Sequence, residues 1–484
     1  MKRTISYNFA ARTIPLPHQV EAINYIQHHT YTALFDEQGL GKTKAVIEGL
    51  SNNFREGLID GGLIICKKNL ISNWQEEIQT HSYLKSIVLK GTSKERGQKF
   101  MGFTHFYIIN YEGVKGEIER LKLFLKVRRI AIVLDESHTI KNPKSQVSRA
   151  VVILSTLAVK RVIISGTPVA NKPEDLWAQF FFLDQGKLLG DDFLKFKRRF
   201  RINIHQDPEI AEEALKSLRL LIKENSIRRK KGDVLELPEK TFFDTPIELS
   251  SKQSQIYHAI RDELRLEIKN ISGEIVLDDS SELLKKLLRL CQAASNPRLF
   301  DKSYDEQPAK FRALKDLIEK ILSKKEKVIV WTSFIGNIKL LKNDLKDYGI
   351  CEVYGDLPIA VRVRNIEKFK TDSTCRVLVA NPAAAREGLT LTVANNAIYL
   401  DRNFNLVDYL QSQDRIHRIS QSKPCSIFKF IARGTIDEYI DEIISRKDYL
   451  AAFVEGDRSK PMGIRMTKEQ LLTYLGTRHD RKQN

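Results

Sequence analysis

Short apolar runs alternate with longer stretches of helical character along most of the chain. The runs are continuously apolar, which is typical of strands that are buried on both faces of a parallel sheet. One series of runs lies at 32–35, 62–66, 106–110, 130–135 and 161–165, and a second lies at 327–333, 375–381, 396–401 and 426–432. Because each series can build one helix-covered sheet, the pattern predicts an α/β fold with two parallel-sheet lobes.

The interval between the two series, from about 173 to 309, has a helical, highly charged pattern with few strand signals. Its segment KFKRRFR (195–201) holds five basic residues and two phenylalanines, and IRRKKGDVLELPEK (227–240) has the character of a linker around Pro238. We therefore predict an N-terminal lobe at 1–240 with a helical protrusion at about 185–235, a C-terminal lobe at 241–454 with a helical insertion at about 250–310, and a basic tail at 455–484.

Composition restricts the class of protein. The 484 residues are 42% hydrophobic and 29% charged, which is ordinary for a soluble globular protein and excludes a wholly disordered chain or a collagen-like fibre. No uncharged apolar run approaches the roughly 18–20 residues that cross a bilayer, and the first residues lack the apolar segment of a signal peptide. We expect a cytoplasmic protein with no membrane partner, associated with the nucleoid if its source is bacterial or viral.

The cysteines and the net charge indicate the compartment and the kind of partner. The five cysteines are scattered and never spaced as CxxC, so we expect neither a disulfide framework nor a zinc ribbon, and a reducing compartment fits. The 79 Lys and Arg against 61 Asp and Glu leave a net charge of +18, which favours a polyanionic partner. Charge alone does not separate a nucleic-acid-binding protein from other basic proteins.

The segment DEQGLGKT (36–43) follows the first apolar run and precedes a helical stretch. A phosphate-binding loop needs this context, because Gly39 and Gly41 let backbone N–H groups approach phosphate oxygens at a helix N-terminus. Lys42 would then contact the β- and γ-phosphates, and Thr43 would bind Mg²⁺. Asp36 stands where the pattern GxxxxGK[ST] begins with glycine, so a plain glycine-rich turn is the alternative.

The segment LDESH (134–138) ends the fourth apolar run. A carboxylate at the tip of a buried strand is well placed to hold a metal, so Asp135 is our candidate Mg²⁺ ligand, with Glu136 as the base that activates the attacking water. The alternative is an ordinary Asp-Glu helix start after a strand.

A third segment, QSQDRIHRISQ (411–421), places Gln411, Arg415 and Arg418 at i, i+4 and i+7. This spacing predicts one face of a helix. Two guanidinium groups on such a face can stabilise charge that develops on a transferred phosphoryl group. A solvated basic helix face is the alternative.

Together these segments resemble the Swi/Snf-like family of superfamily-two helicases, which are ATP-dependent DNA translocases, over about residues 14–439. Further segments match this family in its order: LPHQVEAINYI (16–26), LIICKKNLISNWQEEI (63–78), SGTPVAN (165–171), the linker at 227–240, LRLCQAASNPRLF (288–300), VIVWTSF (328–334) and AREGLTLTVANNAIYLDRNFN (385–405). Asp36 agrees with the family's own loop. The main departures are Ala385, Arg386 and Glu387, which replace a glycine-rich stretch.

The resemblance implies two RecA-like lobes with helical insertions between motifs III and IV, and a site for ATP and Mg²⁺. It implies that Gln19 reads adenine, that Gln411 also contacts the nucleotide, and that His138 links the hydrolysis site to Ser165 and Thr167. Contacts to DNA phosphates are expected from Lys67, Lys68, Thr332, Ser333 and Thr390.

The leading functional hypothesis is an ATP-driven translocase on double-stranded DNA that moves along DNA or remodels protein–DNA complexes. A strand-separating DNA or RNA helicase shares the same motifs. A motor subunit of a restriction, defence or remodelling complex, targeted by a partner protein, is also compatible. A protein that uses ATP only as a clamp switch fits less well, because all the motifs for hydrolysis are present.

Overall fold

The computed structural model describes residues 8–200, 208–270, 281–384 and 390–458, together with Leu475. These residues form two compact units. The first comprises Met1–Glu236 and Tyr449–Met462, and the second comprises Leu237–Asp448 and Gly463–Asn484, as far as these residues are described.

The first unit contains a six-stranded parallel sheet of order β1-β6-β5-β2-β4-β3. Its strands are β1 Tyr31–Leu34, β2 Gly61–Cys66, β3 Ser86–Val88, β4 Phe106–Asn110, β5 Ile130–Asp135 and β6 Lys160–Ile164. Its helices are α1 Pro17–His28, α2 Lys42–Arg55, α3 Ile71–His81, α4 Ser93–Met101, α5 Tyr111–Gly116, α6 Ile118–Val127, α7 Gln146–Ser155, α8 Trp177–Asp184, α9 Phe193–Phe200, α10 Pro208–Glu224 and α11 Lys231–Val234.

The second unit contains another six-stranded parallel sheet, of order β7-β12-β11-β8-β10-β9. Its strands are β7 Lys240–Ile247, β8 Val328–Trp331, β9 Ile350–Val353, β10 Val377–Ala380, β11 Asn396–Tyr399 and β12 Cys425–Ala432. Its helices are α12 Ser251–Asn270, α13 Ser281–Ser295, α14 Ala309–Ser323, α15 Ile335–Asp344, α16 Ile359–Thr371, α17 Leu406–Gln413 and α18 Ile436–Val454, of which the residues from Tyr449 onward belong to the first unit.

The predicted α/β fold with two parallel sheets is confirmed. All six residues of β2 are buried, as are the first five of β5 and all of β6, β8, β10 and β11. This burial on both faces explains why these strands are continuous apolar runs in the sequence. Trp177 and Trp331 lie in the core, as do Phe180 and Phe182 of the aromatic run in α8.

Three strands were not predicted. β3 is only three residues long, and β9 carries Glu352. β7 lies at the edge of its sheet and is mostly exposed, so its sequence KTFFDTPI has no continuous apolar run. Between 173 and 309, the described residues outside β7 form helices and connecting segments, in agreement with the predicted helical character of this interval.

The basic segment of α9 divides its residue types between two environments. Phe196 and Phe200 are buried with their ring centroids 4.6 Å apart, whereas Lys195, Arg198 and Arg199 are exposed. The aromatic residues therefore pack this helix, and the cations remain available at the surface.

The cysteines depart from expectation at one pair. Cys351 in β9 and Cys375 just before β10 form a disulfide, whereas Cys66, Cys291 and Cys425 are buried outside it. Because β9 and β10 are paired in the sheet, the fold brings together two cysteines whose spacing in the sequence gave no sign of it. Over the described ranges, no helix has the length and apolar character needed to cross a membrane.

Candidate functional site

Four neighbouring strands of the first sheet end where the candidate motifs begin. Segments 36–43, 165–171, 135–138 and 67–68 follow or close β1, β6, β5 and β2, which are adjacent in that order. Because the carboxyl ends of parallel strands meet at one edge of a sheet, these segments converge there. The site is thus a consequence of strand order, although its parts are widely separated in the sequence.

The glycines of segment 36–43 have the backbone geometry that the predicted loop needs. Gly39 and Gly41 have φ angles of 86° and 78°, in the left-handed region that favours glycine. Gly41 also packs so closely against the side-chain amide of Gln19 that a Cβ at this position would collide with it. Since Gly41 caps the 14-residue helix α2, the loop leads directly into a helix N-terminus, where an anion is favoured.

Lys42 folds back on its own loop. Its Nζ donates to the backbone carbonyls of Asp36 at 2.7 Å and Glu37 at 3.2 Å. Burial lowers the pKa of Lys42, and the carboxylates of Asp36, Glu136 and Asp135 act in the opposite direction. The ammonium group therefore lies within electrostatic reach of the two acidic residues of segment 134–138. Thr43 is the second residue of α2 and is half-buried.

Asp135 is held by two buried aromatic residues. The indole N–H of Trp74 in α3 donates to Asp135 Oδ2 at 2.8 Å, and the hydroxyl of Tyr111 in α5 donates to the Asp135 backbone carbonyl at 2.8 Å. Burial and, secondarily, the neighbouring charge of Glu136 raise the pKa of Asp135 to about 6. Neither aromatic residue was predicted to contact the site, although Trp74 was noted as part of a family segment.

Glu136 has a backbone conformation that is rare for a residue with a side chain. Its φ and ψ are 51° and 53°, in the left-handed region. The next turn holds this conformation, because the N–H and hydroxyl of Thr139 both donate to the Glu136 carbonyl, at 2.9 and 2.7 Å. Backbone strain of this kind persists only where the surroundings enforce it, and it occurs often at functional sites.

The structure brings His138, Ser165 and Thr167 together, as the resemblance implied. His138 Nδ1 lies 3.2 Å from Ser165 Oγ and 3.4 Å from Glu136 Oε2, and the N–H of Thr167 donates to Ser165 Oγ at 3.1 Å. Lys67 Nζ lies 3.2 Å from His138 Nε2. Because an ammonium group can only donate, Nε2 must accept, and the imidazole proton resides on Nδ1, facing Ser165 and Glu136.

Lys67 and Lys68, which were predicted together as DNA contacts, occupy different environments. Lys67 turns toward His138, whereas Lys68 is exposed.

Gln179 in α8 is a further residue that sequence reasoning missed. It is fully buried, accepts from the hydroxyl of Ser137 at 2.6 Å, and donates to the carbonyls of Pro168 and Asp175 at 2.8 and 2.7 Å. It thereby joins the turn after β5 to the turn after β6. A polar residue inside the otherwise apolar stretch WAQFFFL was the available signal, since buried polar groups are nearly always hydrogen-bonded.

Gln19 lies over the phosphate loop. Its Oε1 accepts from the N–H of Leu16 at 3.0 Å, and its Nε2 donates to the carbonyl of Leu40 at 3.1 Å. The structure therefore places Gln19 beside the loop, in contact with a loop carbonyl.

In the second unit, the predicted helix face is wrong. Helix α17 ends at Gln413, so only Gln411 of the three predicted residues is helical. Arg415 and Arg418 lie in successive tight turns, closed by the bonds from Arg415 N–H to the Ser412 carbonyl and from Gln421 N–H to the Arg418 carbonyl. The side-chain amide of Gln421 also donates to the Ile416 and Ala394 carbonyls, which ties the end of this segment to the loop before β11.

Arg418 contacts one of the predicted DNA-binding residues. Its Nη1 donates to Thr390 Oγ1 at 3.1 Å, and its Nε donates to the Asp414 carbonyl at 2.8 Å. The departures at Ala385, Arg386 and Glu387 lie outside the described residues.

Thr332 is fully buried, and its contacts are internal. Its hydroxyl donates to Asp401 Oδ2 at 2.7 Å, and its N–H donates to the Ala380 carbonyl at 3.0 Å. The N–H of Ser333 likewise donates to Asp401 Oδ1, at 2.6 Å. This geometry does not support a direct phosphate contact from Thr332, because its donor groups already bind protein oxygens. Ser333 is half-buried beside it.

Comparison with known families agrees with this arrangement. The family model of the SNF2-related domain matches residues 18–299 of this chain, and the model of the helicase conserved C-terminal domain matches residues 309–420. The chain belongs to the SNF2-related family. The predicted relationship to Swi/Snf-like helicases of superfamily two is therefore confirmed.

Similar proteins come from distant organisms. A Mycoplasma pneumoniae protein named as an uncharacterized ATP-dependent helicase is 30% identical over 87% of this chain and 40% of its own length. A putative ATP-dependent helicase/translocase of Bacillus subtilis is 29% identical over 86% of this chain and 46% of its own. The ISWI chromatin-remodeling complex ATPase of Saccharomyces cerevisiae is 26% identical over 89% and 40%.

This SNF2-related chain thus spans less than half the length of these curated relatives. Among solved structures, the Sulfolobus solfataricus SWI2/SNF2 ATPase core in complex with dsDNA is 26% identical, with a TM-score of 0.44 over 92% of this chain and 94% of that chain.

The raised pKa of Asp135 predicts a stability effect that depends on pH. The folded chain binds this proton more tightly than the unfolded chain, whose aspartate pKa is about 4. The ionised carboxylate therefore destabilises the metal-free fold above about pH 6, and this penalty disappears as the pH falls from 6 toward 4. Asn at this position can still accept from Trp74 while carrying no charge.

We expect Asp135→Asn to be more stable than the unsubstituted chain at pH 8 by about 1–3 kcal/mol, and this difference to shrink by pH 5. Urea denaturation in EDTA measures it. Exposed Asp356 provides the control, since Asp356→Asn should change the stability by less than about 0.5 kcal/mol. A constant difference between pH 8 and pH 5 would contradict the pKa assignment.

Proposed function

We propose that this chain is an ATP-dependent translocase that acts on double-stranded DNA. The carrying observation is the single cluster at the edge of the first sheet: a glycine loop with Lys42, the acidic pair Asp135 and Glu136, and a polar relay through His138. This combination supports nucleoside triphosphate hydrolysis, because it supplies a phosphate cradle, a carboxylate for a metal and a base beside it. The names of the relatives support ATP as the nucleotide.

Mg²⁺ fits the residues present. Trp74 occupies Oδ2 of Asp135, so Oδ1 is the oxygen that this carboxylate would offer, and the Thr43 hydroxyl is the second protein ligand. Two adjacent, partly buried carboxylates also favour a cation. Within the described parts of the chain, no cluster of three or more His, Cys, Asp or Glu residues could hold a metal, so the nucleotide phosphates and water would supply the remaining ligands. Bound Mg²⁺ would neutralise phosphate charge.

Each residue of the cluster then has a role in hydrolysis. Lys42 exchanges its loop carbonyls for phosphate oxygens, and Gln19 recognises the adenine ring of ATP. Glu136 accepts the proton of the attacking water, while the Nδ1 proton of His138 lies beside its carboxylate and stabilises the negative charge. Gln411, Arg415 and Arg418 of the second unit contribute nucleotide binding and charge stabilisation in the hydrolysis step.

Double-stranded DNA is the proposed track. The net charge of +18 and the exposed cations Lys68, Lys195, Arg198 and Arg199 support binding to a polyanionic backbone. Backbone contacts suit a motor, since base-specific contacts would hold it at one sequence. Ser333 and Thr390 are proposed as further phosphate contacts. The relative named as a chromatin-remodeling complex ATPase favours duplex DNA over RNA.

ATP turnover without nucleic acid and with duplex DNA, single-stranded DNA or RNA tests the proposed track. We expect duplex DNA to stimulate turnover most and the stimulation to fall as salt is raised, because phosphate contacts release counterions. Displacement of a third strand from duplex DNA then measures translocation, and separation of a forked duplex measures strand opening.

Stimulation by RNA alone, or none by duplex DNA, would refute the proposal. Strand opening would favour a true helicase. ATP binding without turnover would favour a clamp. Turnover that needs a partner protein would favour a subunit of a larger complex.

Glu136→Gln should keep the geometry of the turn but remove the base. We expect turnover to fall by about 10²-fold or more, while ATP affinity measured by calorimetry stays the same. Glu119→Gln is a matched control, because Glu119 is 76% exposed and contacts Lys122. Retained turnover in Glu136→Gln would show that another group accepts the proton.

Arg415→Ala and Arg418→Ala should each lower DNA-stimulated turnover by about 10²-fold or more if their guanidinium groups stabilise transition-state charge. Arg433→Ala removes a cation that is 61% exposed and contacts Glu248, so it should have little effect. Circular dichroism and duplex binding are measured alongside, since Arg415 is buried. Unchanged turnover in both variants would remove the proposed role.

A further inference from the structure

The segment that precedes the second unit extends the edge of the first sheet. The N–H of Ile227 donates to the Ala33 carbonyl at 2.9 Å, and the N–H of Phe35 donates back to the Ile227 carbonyl at 2.8 Å. The same pattern continues where the N–H of Glu37 donates to the Arg229 carbonyl at 2.9 Å. Residues 227–229 therefore run parallel to the end of β1 and to the beginning of the phosphate loop.

Two consecutive arginines of this segment serve different contacts. Arg228 donates to the Phe35 carbonyl at 2.7 Å and pairs with Glu455 at 2.5 Å and Asp457 at 2.8 Å. Arg229 pairs with Asp36 at the start of the phosphate loop. Because successive side chains of an extended segment point to opposite faces, one arginine anchors the segment to residues 455–457 while the other faces the loop.

Arg229 binds the first residue of the phosphate loop with both arms of its guanidinium group. Nε donates to Asp36 Oδ1 at 3.0 Å, and Nη2 donates to Asp36 Oδ2 at 2.6 Å. Asp36 is only 2% exposed. Its carboxylate therefore depends on Arg229 for compensation, because a buried charge without a partner is strongly unfavourable.

Arg229 also reaches the helix that carries Gln19. Its Nη1 donates to the backbone carbonyl of His18 in α1 and lies 3.2 Å from Glu21 Oε2. The backbone carbonyl of Asp36 in turn accepts from Lys42 Nζ. One guanidinium group thus connects α1 to the residue that receives the resting Lys42 side chain.

We propose that Arg229 is a positioning residue that sets the affinity of the phosphate loop for nucleotide by neutralising Asp36. The inference rests on the nucleotide site of the proposed function. Without Arg229, a buried negative charge would stand beside the phosphates, oppose their binding and retain Lys42 at the loop. The effect is therefore on ATP binding, whereas a defect in the chemical step would point to a different role.

Calorimetric titration of ATP with Mg²⁺, together with the KM and kcat for ATP hydrolysis, tests this on the full chain. We expect Arg229→Ala to raise the ATP dissociation constant and KM by about tenfold or more, and to lower kcat at saturating ATP by a smaller factor. Arg229→Lys keeps the positive charge but loses the paired hydrogen bonds to Asp36. Its ATP dissociation constant should therefore lie between those of the unsubstituted chain and Arg229→Ala. Lys223→Ala, an exposed cation on α10, is the matched control.

A second substitution separates charge from packing. The double variant Arg229→Ala with Asp36→Asn removes both charges, and we expect its ATP affinity to return to within about threefold of the unsubstituted chain. A double variant that binds ATP no better than Arg229→Ala would overturn the proposal, as would unchanged affinity in Arg229→Ala itself.

If Arg229→Ala does not fold, the ATP affinity of the single variant Asp36→Asn tests the inference. It leaves the Arg229 cation beside the phosphates, so ATP should bind at least as tightly as to the unsubstituted chain. A tenfold loss of affinity would refute the inference. The proposed function fails separately, if the unsubstituted chain binds no ATP or is not stimulated by duplex DNA.

Discussion

Two carboxylates follow each other at the end of β5, a strand whose preceding residues are buried. The negative charges of Asp135 and Glu136 repel each other, and partial burial adds to the free-energy cost of ionising both carboxylates. The surroundings compensate only in part: Trp74 donates one hydrogen bond to Asp135, and Lys42 lies within electrostatic reach. The two adjacent carboxylates favour a cation at this end of the sheet, which is the basis of the proposed Mg²⁺ site.

The second sheet also has a carboxylate at the end of a buried strand, but there several hydrogen bonds compensate its charge. Asp401, just after β11, is also buried, but it accepts hydrogen bonds from Ser295, Thr332 and Asn337 side chains and from the Ser333 N–H. Burial raises the pKa of Asp401, and the charge of Lys310 together with the hydrogen bonds from Thr332, Ser333 and Ser295 opposes the rise. Four donors leave little capacity for a ligand, so Asp401 holds structure together. Asp135 accepts fewer hydrogen bonds, from the Trp74 indole and the Glu136 backbone N–H, and so keeps more capacity for a ligand.

The sequence allowed the elements that depend on local pattern to be predicted. The buried strand β2 and the first five residues of β5 are apolar, and the left-handed backbone before α2 favours the glycines that stand there. Contacts between distant residues could not be predicted, since the residue types of Arg229 and Trp74 do not identify a partner 193 or 61 positions away. The turns at Arg415 and Arg418 were missed because helical spacing in the sequence does not show that α17 ends at Gln413.

Asp401 also connects segments of the second unit that are far apart in the sequence. Asn337 Nδ2 donates to Asp401, and its Oδ1 accepts from Asn296, which follows α13. The segment 288–300, the turn after β8 and the end of β11 therefore share one buried hydrogen-bond network. In such a network, removal of one partner leaves another polar group buried without compensation. Thr332 is thus constrained by Asp401 and Asn337, and its identity follows from the interior of the unit, whatever the exposed surface binds.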